Sequence, residues 1–192
     1  MEKYIAHDAE TGGVVPAVHT LLTHYSGIFT LDSGKFTLRA ELDLKIKPEN
    51  KNYVVTAEAL GVNKINLIDH DKSALKIEEA SEKLYYFLKE HSDDGRQRLV
   101  RMGHNEPFDK DFLVHNLLRP EIWSKFTDYG GVADSSSFAR FLKMKGKLPW
   151  NVRFNLKQLA EFLGVAYDPN ELHTAKGDVH LMVRCVEKML TM

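Results

Sequence analysis

Four carboxylates stand where a carboxylate is expensive to keep. Asp8 and Glu10 are two residues apart at the end of Lys3–Asp8, which reads as a short buried strand. In extended backbone, side chains two apart leave the same face, so this pair can act together. Asp109 shares a helical stripe with Phe112, Leu113 and Leu117, whereas Asp111 points roughly the opposite way, to solvent. Asp178 heads a second stripe formed by Leu181, Met182, Cys185 and Met189. A carboxylate on a core-facing side must be neutralised, ion-paired or bound to metal. Oxygen donors of this kind suit Mg²⁺ or Mn²⁺. The other reading of each helical aspartate is a cap or a partner of the helix dipole, and position alone leaves both open.

The elements that must hold these residues follow from hydrophobic period. His19–Leu31 and Lys35–Ile46 are β-rich and separated by Asp32-Ser33-Gly34, a hairpin turn. Val54–Ile68 has no clear period and reads as irregular. From Ser73 to about His91 the spacing becomes helical, with Ile77, Ala80, Leu84, Phe87 and Leu88 on one face and Asp93-Asp94-Gly95 as the stop. A strand over Arg98–Met102 precedes a helix over Phe108–Leu118 that ends before Pro120. Gly131–Asp134 leads as a short strand into a helix over Ser136–Lys145, with Asp134 as its cap. Asn155 caps a further helix stopped by Gly164, and the last helix runs from about Thr174 to Leu190. Three strands followed by alternating strands and helices imply an α/β fold, a mixed sheet of about five strands flanked by α-helices.

Composition narrows the class. The 192 residues are 43% hydrophobic and 28% charged, which excludes a disordered tail or a disulfide-stapled miniprotein and is expected to form a single domain over 1–192. Cys185 has no partner for a disulfide, and the start MEKYIAHDAETGG lacks the apolar run of a signal peptide, so a cytoplasmic location is expected. No stretch reaches the length of a transmembrane helix, and no membrane partner is expected. The net charge of −1 argues against coating nucleic acid by bulk charge. That charge is unevenly spread: residues 140–157 carry +6, leaving −7 for the rest.

Taken together the motifs resemble the DEDDh branch of the DnaQ-like 3′→5′ exonucleases, which have an RNase H-like fold. The family's first motif, D-x-E-T-T-G, is similar to Asp8-Ala9-Glu10-Thr11-Gly12-Gly13. Its second, H-N-A-x-F-D, is similar to His104-Asn105-Glu106-Pro107-Phe108-Asp109, and its third, H-x-x-x-x-D, to His173 through Asp178. Val132-Ala133-Asp134-Ser135 resembles its strand ending in D-T, and Asn155–Gly164 its S-L-x-x-L-A-x-x-L-G helix. The resemblance runs from about Lys3 to Leu190. Departures are Gly12 for the second Thr, Val14 for Leu, Glu106 for a small residue and His7 for an apolar strand residue. Glu106 would repel phosphate if it pointed inward, and His7 is expected to be packed and neutral.

The resemblance implies two metal ions, Mg²⁺ or Mn²⁺, held by Asp8, Glu10, Asp109 and Asp178, and metal-dependent hydrolysis from a 3′ end that releases nucleoside 5′-monophosphates. It implies His173 as general base, whose ordinary pKa of about 6.5 suits proton transfer near neutrality. His104 and Asn105 would orient the strand end, and His180 is expected at the surface. Thr11, Gly12, Gly13, Val14, Asn105 and Phe108 would meet the substrate. Apart from the resemblance, Arg140, Lys143, Lys145, Lys147, Arg153 and Lys157, interleaved with Trp150 and Phe154, suit a groove for phosphates and unpaired bases, with Lys145, Lys147 and Trp150 as contacts. A solvated loop whose aromatics pack on the core would give the same pattern. Arg96, Arg98 and Arg101 form a second basic cluster, or a strand edge protected by charge. The expected partner is nucleic acid with a free 3′ end, single-stranded DNA first, alongside a polymerase or replication partner on another chain. RNA trimming within the same family and a non-catalytic binding module are the alternatives, and no motif separates DNA from RNA.

Overall fold

The computed structural model describes residues 2–151 and 155–192, with the backbone alone at Tyr129. Arg153 and Phe154, two members of the basic stretch, lie outside the described residues.

The first three strands, β1 (Lys3–Thr11), β2 (Leu21–Asp32) and β3 (Lys35–Lys47), form an antiparallel meander. Its hairpin closes through Ser33 and Gly34, both at positive φ, the turn whose twist matches that of the strands it joins. The segment expected to be irregular holds two short helices, α1 (Ala57–Asn63) and α2 (Leu67–Ser73). Each has seven residues, too few to establish a period, and each is fixed by a cap. Thr56 accepts from the Ala59 N–H at 3.1 Å, and Asn66 accepts from Ile68 and Asp69.

After the two-residue β4 (Leu75–Lys76) comes α3 (Ile77–His91), which buries Ala80, Leu84 and Leu88 on its expected face. Then follow β5 (Leu99–Gly103), α4 (Glu106–Asn116), α5 (Pro120–Phe126), β6 (Thr127–Asp134) and α6 (Ser135–Met144). The described chain ends with α7 (Leu156–Leu163) and α8 (Ala175–Met189). Asn155 caps α7, and Gly164 ends it in the left-handed conformation, as expected. The strands are ordered β4-β3-β2-β1-β5-β6, six where about five were expected, because β4 is too short to leave a signature. The pairs β1–β5, β5–β6 and β3–β4 are parallel.

Alternation along β1 divides the core between the two faces of the sheet. Ala6 packs with Tyr25, Phe29, Met102 and the apolar stripe of α8. Ile5 packs with Ile28, Leu84, Phe112 and Trp123. No helix among the described residues is long and apolar enough to cross a membrane.

The structure corrects the edge-strand reading of the arginines. β5 lies between β1 and β6, and Arg101 serves the interior instead. Its guanidinium meets the Glu106 carboxylate at 3.2 Å, where Glu106 is 1% exposed. His7, buried as expected, lies 3.4 Å from the same oxygen and packs edge-on against Trp123. Glu106 is therefore spent inside the protein and does not face incoming phosphate. Removing one partner from a buried pair strands a charge, at a cost of about 3 kcal/mol. We predict that Arg101→Met loses about that much stability in urea unfolding, and that adding Glu106→Gln recovers most of it. An Arg101→Met protein as stable as the parent would refute the pairing.

Candidate active site

β1 carries Asp8 and Glu10 out of the same face, opposite Tyr25 and Thr23 of β2. The first turn of α8 brings Asp178 down upon them. Its start is fixed by Thr174, whose hydroxyl accepts from the Gly177 N–H at 3.1 Å. Oxygens of Asp8, Glu10 and Asp178 all lie within 4.8 Å of one another, a group of three that could hold a metal ion. Asp109, nearly fully buried on α4, stands beside them and accepts the Ala9 N–H at 3.1 Å. The chain thus brings the four sequence-derived carboxylates to one place, three as direct neighbours and the fourth tied to the strand between Asp8 and Glu10.

Like charges at this spacing resist ionisation. Burial is the largest influence on Asp8, followed by the charges of Asp109, Glu10 and Asp178, and its carboxyl is held well above the usual range. Burial, then Asp178 and Asp109, pushes Glu10 up to about 9. Burial also raises Asp109, against the Ala9 N–H that favours its charged form. Asp178 is raised by burial and eased by the His173 N–H and the His173 side chain. The charged neighbours acting on Asp8 and Glu10 are all carboxylates, a set that invites a cation.

His173 is exposed and stands at φ 61°, an uncommon backbone for a residue with a β-carbon. Its N–H donates to Asp178 Oδ1 at 3.3 Å, so its backbone is tied to the cluster. His104 reaches Ser135 Oγ through Nδ1 at 2.8 Å. Asp134 accepts from Ser136 Oγ, Ser137 N and Glu106 N, joining the starts of α6 and α4 as a cap. His180 departs from expectation. It is half-buried, its Nε2 lies 3.2 Å from the Tyr25 hydroxyl, and burial lowers its pKa.

Three clefts border the carboxylates. One, of about 470 Å³, is edged by Glu10, Thr11, Gly13, Val14 and Phe108 and closed by α1. A second, of about 490 Å³, is edged by Asp178, His173, His104 and the first half of α7. The third, of about 510 Å³, lies between Glu10, His173, β3 and α2. Thr11, Gly13, Val14 and Phe108 are therefore placed together as the sequence implied. Gly12 is buried behind that wall, where a Cβ would run into the Val54 carbonyl. Asn105 is exposed at φ 66° at the start of α4 and borders none of the three clefts.

The basic stretch is not brought to the site as a block. Lys143 is buried and donates to the Trp150 carbonyl at 3.1 Å. Lys145 lies 5.5 Å from the Phe141 ring, and Lys147 and Trp150 are exposed, all three outside the clefts. Among the described basic residues of the stretch, Lys157 lines one, beside Asn155, Leu156 and Gln158. Sequence reasoning missed the wall built by Thr56, Glu58, Ala59, Val62 and Asn63, because α1 itself had no readable period.

A pH dependence follows. Without divalent metal, the folded chain keeps protons on Glu10 up to about 9, whereas an unfolded glutamate releases them near 4.5. The folded state binds more protons in that window, so its stability falls as pH rises. The buried His24, held well below its usual pKa by burial and by His7, titrates only on the acid side and leaves pH 7–9 clear. In EDTA the melting temperature is expected to fall from pH 7 to pH 9. Excess Mn²⁺ should remove the slope and Asp178→Asn should reduce it; a rising or flat profile in EDTA would contradict the arrangement.

No protein-family model and no curated protein sequence matches the chain. Solved structures do. E. coli exonuclease I in complex with a dT13 oligonucleotide superposes with a TM-score of 0.74 at 17% identity, covering 97% of this chain and 40% of that one. The zinc-bound form of the E. coli exonuclease I–single-stranded DNA complex gives 0.77 at 17% identity, covering 100% and 41%. A moderately thermophilic exonuclease I from Methylocaldum szegediense gives 0.73 at 17%, covering 98% and 40%. The chain spans about two fifths of the length of these nucleases. At this identity the likeness is one of fold, and the chain has the RNase H-like α/β fold of exonuclease I.

Proposed function

We propose that the protein is a divalent-metal-dependent 3′→5′ exonuclease that removes nucleoside 5′-monophosphates from single-stranded DNA. The observation that carries this reading is the convergence of Asp8, Glu10 and Asp178 from β1 and α8, with Asp109 beside them. The donor set fits Mg²⁺ or Mn²⁺: hard carboxylate oxygens, raised in pKa by burial and by one another, with no thiolate among them. Asp8, Glu10 and Asp178 would hold the metal, and Asp109 would complete the set. A pair of divalent ions bound there would supply activation of water and stabilisation of the leaving oxygen in an in-line displacement.

The chain's own groups do the rest. His173 Nδ1 or Nε2 takes a proton from the attacking water, since the residue borders two of the clefts and its backbone is held on Asp178. Phe108 and Val14 offer apolar surface to the terminal base on the Glu10 side. Lys157 and Gln158 offer polar contacts on the Asp178 side. A strand crossing the carboxylates would therefore have a cleft for the nucleotide being removed and another for what precedes it. The choice of single-stranded DNA is supported by the oligonucleotide and single-stranded DNA complexes of the structural neighbours.

The test is digestion of 5′-labelled single-stranded DNA, duplex DNA and RNA with Mg²⁺, Mn²⁺ or EDTA. We expect a ladder shortening from the 3′ end on single-stranded DNA, abolished by EDTA and by Asp178→Asn. His173→Ala should lower kcat by about 10²–10⁴-fold while retaining oligonucleotide binding. Cleavage that persists in EDTA, or in Asp178→Asn, would overturn the reading.

A further inference from the structure

The Glu10-side cleft is a peculiar receptor. Among the described residues, its lining has two carboxylates, Glu10 and Glu58, and no lysine or arginine. Such a cleft suits the neutral part of a nucleotide and not its phosphate. Its side-chain N–H donors come from two residues, Asn63 and His19. Asn63 is engaged with the chain: Nδ2 donates to the Thr11 carbonyl at 3.2 Å and Oδ1 accepts from Ile65. The Thr11 hydroxyl is likewise engaged, donating to the Gly13 carbonyl at 2.6 Å.

His19 is held in one orientation with one donor left over. Its Nδ1 accepts the Val15 N–H at 3.0 Å. An accepting Nδ1 places the proton of the neutral ring on Nε2. The backbone at His19 is itself fixed, because its N–H donates to the Val15 carbonyl at 2.9 Å. A Cβ at Gly13 would come within 2.5, 2.6 and 2.7 Å of the ring's Cδ2, Cγ and Nε2, so Gly13 lies over one face of the imidazole. Gly13 borders the Glu10-side cleft and not the neighbouring cleft that His19 also touches, so the ring sits at the wall of the former with Nε2 beside Gly13. Glycine at position 13 is what lets the imidazole lie there.

We infer that His19 binds the substrate: its Nε2–H donates a hydrogen bond to an acceptor on the 3′-terminal nucleoside in the Glu10-side cleft. This inference rests on the exonuclease reading, and it assigns a contact outside the three motifs. A donor oriented by the β1–β2 connection fixes the depth of the terminal nucleoside, and hence the placing of the adjoining phosphate over Asp8 and Glu10. The hydrogen bond is neutral, so its loss should weaken binding about tenfold.

Two measurements test it. In long-range ¹H–¹⁵N spectra of the imidazoles, with His19 assigned by its loss in His19→Gln, free protein should show the Nε2–H tautomer. Adding deoxythymidine 5′-monophosphate with Mg²⁺ should shift that signal. Kinetically, His19→Ala should raise KM for a dT oligonucleotide about tenfold with kcat changed less than threefold. His19→Gln, which keeps an N–H near the Nε2 position, should recover part of the loss, which a merely structural role would not predict. A thermal melt of each variant separates misfolding from lost contact. An Nδ1–H tautomer, or an Nε2 signal unmoved while the nucleotide binds elsewhere in the spectrum, would overturn the inference. If wild-type protein cuts nothing but the nucleotide still shifts Nε2–H, the exonuclease reading fails and the His19 contact stands.

Discussion

Carboxylates within 4.8 Å of one another are the constraint around which this chain is organised. Their repulsion works against folding, so rigid elements on both sides must hold them. β1 supplies two from a strand paired along both edges. α8 supplies the third from its first turn, with Val179, Leu181, Met182 and Cys185 buried behind it. Without that apolar stripe, α8 would have no reason to bring a charge against two others. The core and the site are thus opposed in energy and joined in space, a common condition where function is built on destabilised groups.

The same economy handles the charge that is not part of the site. Glu106 begins α4 only three residues before Asp109, and would add a further negative charge if it turned the same way. It turns instead beneath the sheet, where Arg101 and His7 receive it. Asp134 is occupied in another manner, with both oxygens committed to caps and to the Glu106 N–H. Two acids near the cluster are each satisfied by the scaffold, whereas the charged neighbours of Asp8 and Glu10 are other acids.

Much of this is legible in the sequence. Stripes of period 3.6 marked Asp109 and Asp178 as facing inward, because long helices average out local noise. Caps at Asp134 and Asn155 were readable because N-cap chemistry is local. What failed was short or non-local. α1, α2 and β4 have too few residues for a pattern, and the wall they build around the Glu10-side cleft went unseen with them. The partnership of Arg101 with Glu106 depends on which strands neighbour β5, a matter of topology that local pattern does not encode. The basic stretch misled for a related reason: charge summed along the chain ignores direction. Lys143 turns inward, Lys145, Lys147 and Trp150 lie away from the clefts, and of the described basic residues Lys157 reaches one.

The two sources of the carboxylate cluster lie far apart along the chain, β1 near its beginning and α8 at the end of the described elements. Contacts of that separation are costly to close and form late. During synthesis, Asp8 and Glu10 emerge long before Asp178, and domains consolidate in the order in which they are made. A nascent or truncated chain therefore displays Asp8, Glu10 and Asp109 without Asp178 or His173. The cluster is complete only once α8 has docked, so the closing of the longest-range contacts and the assembly of the four carboxylates are one event.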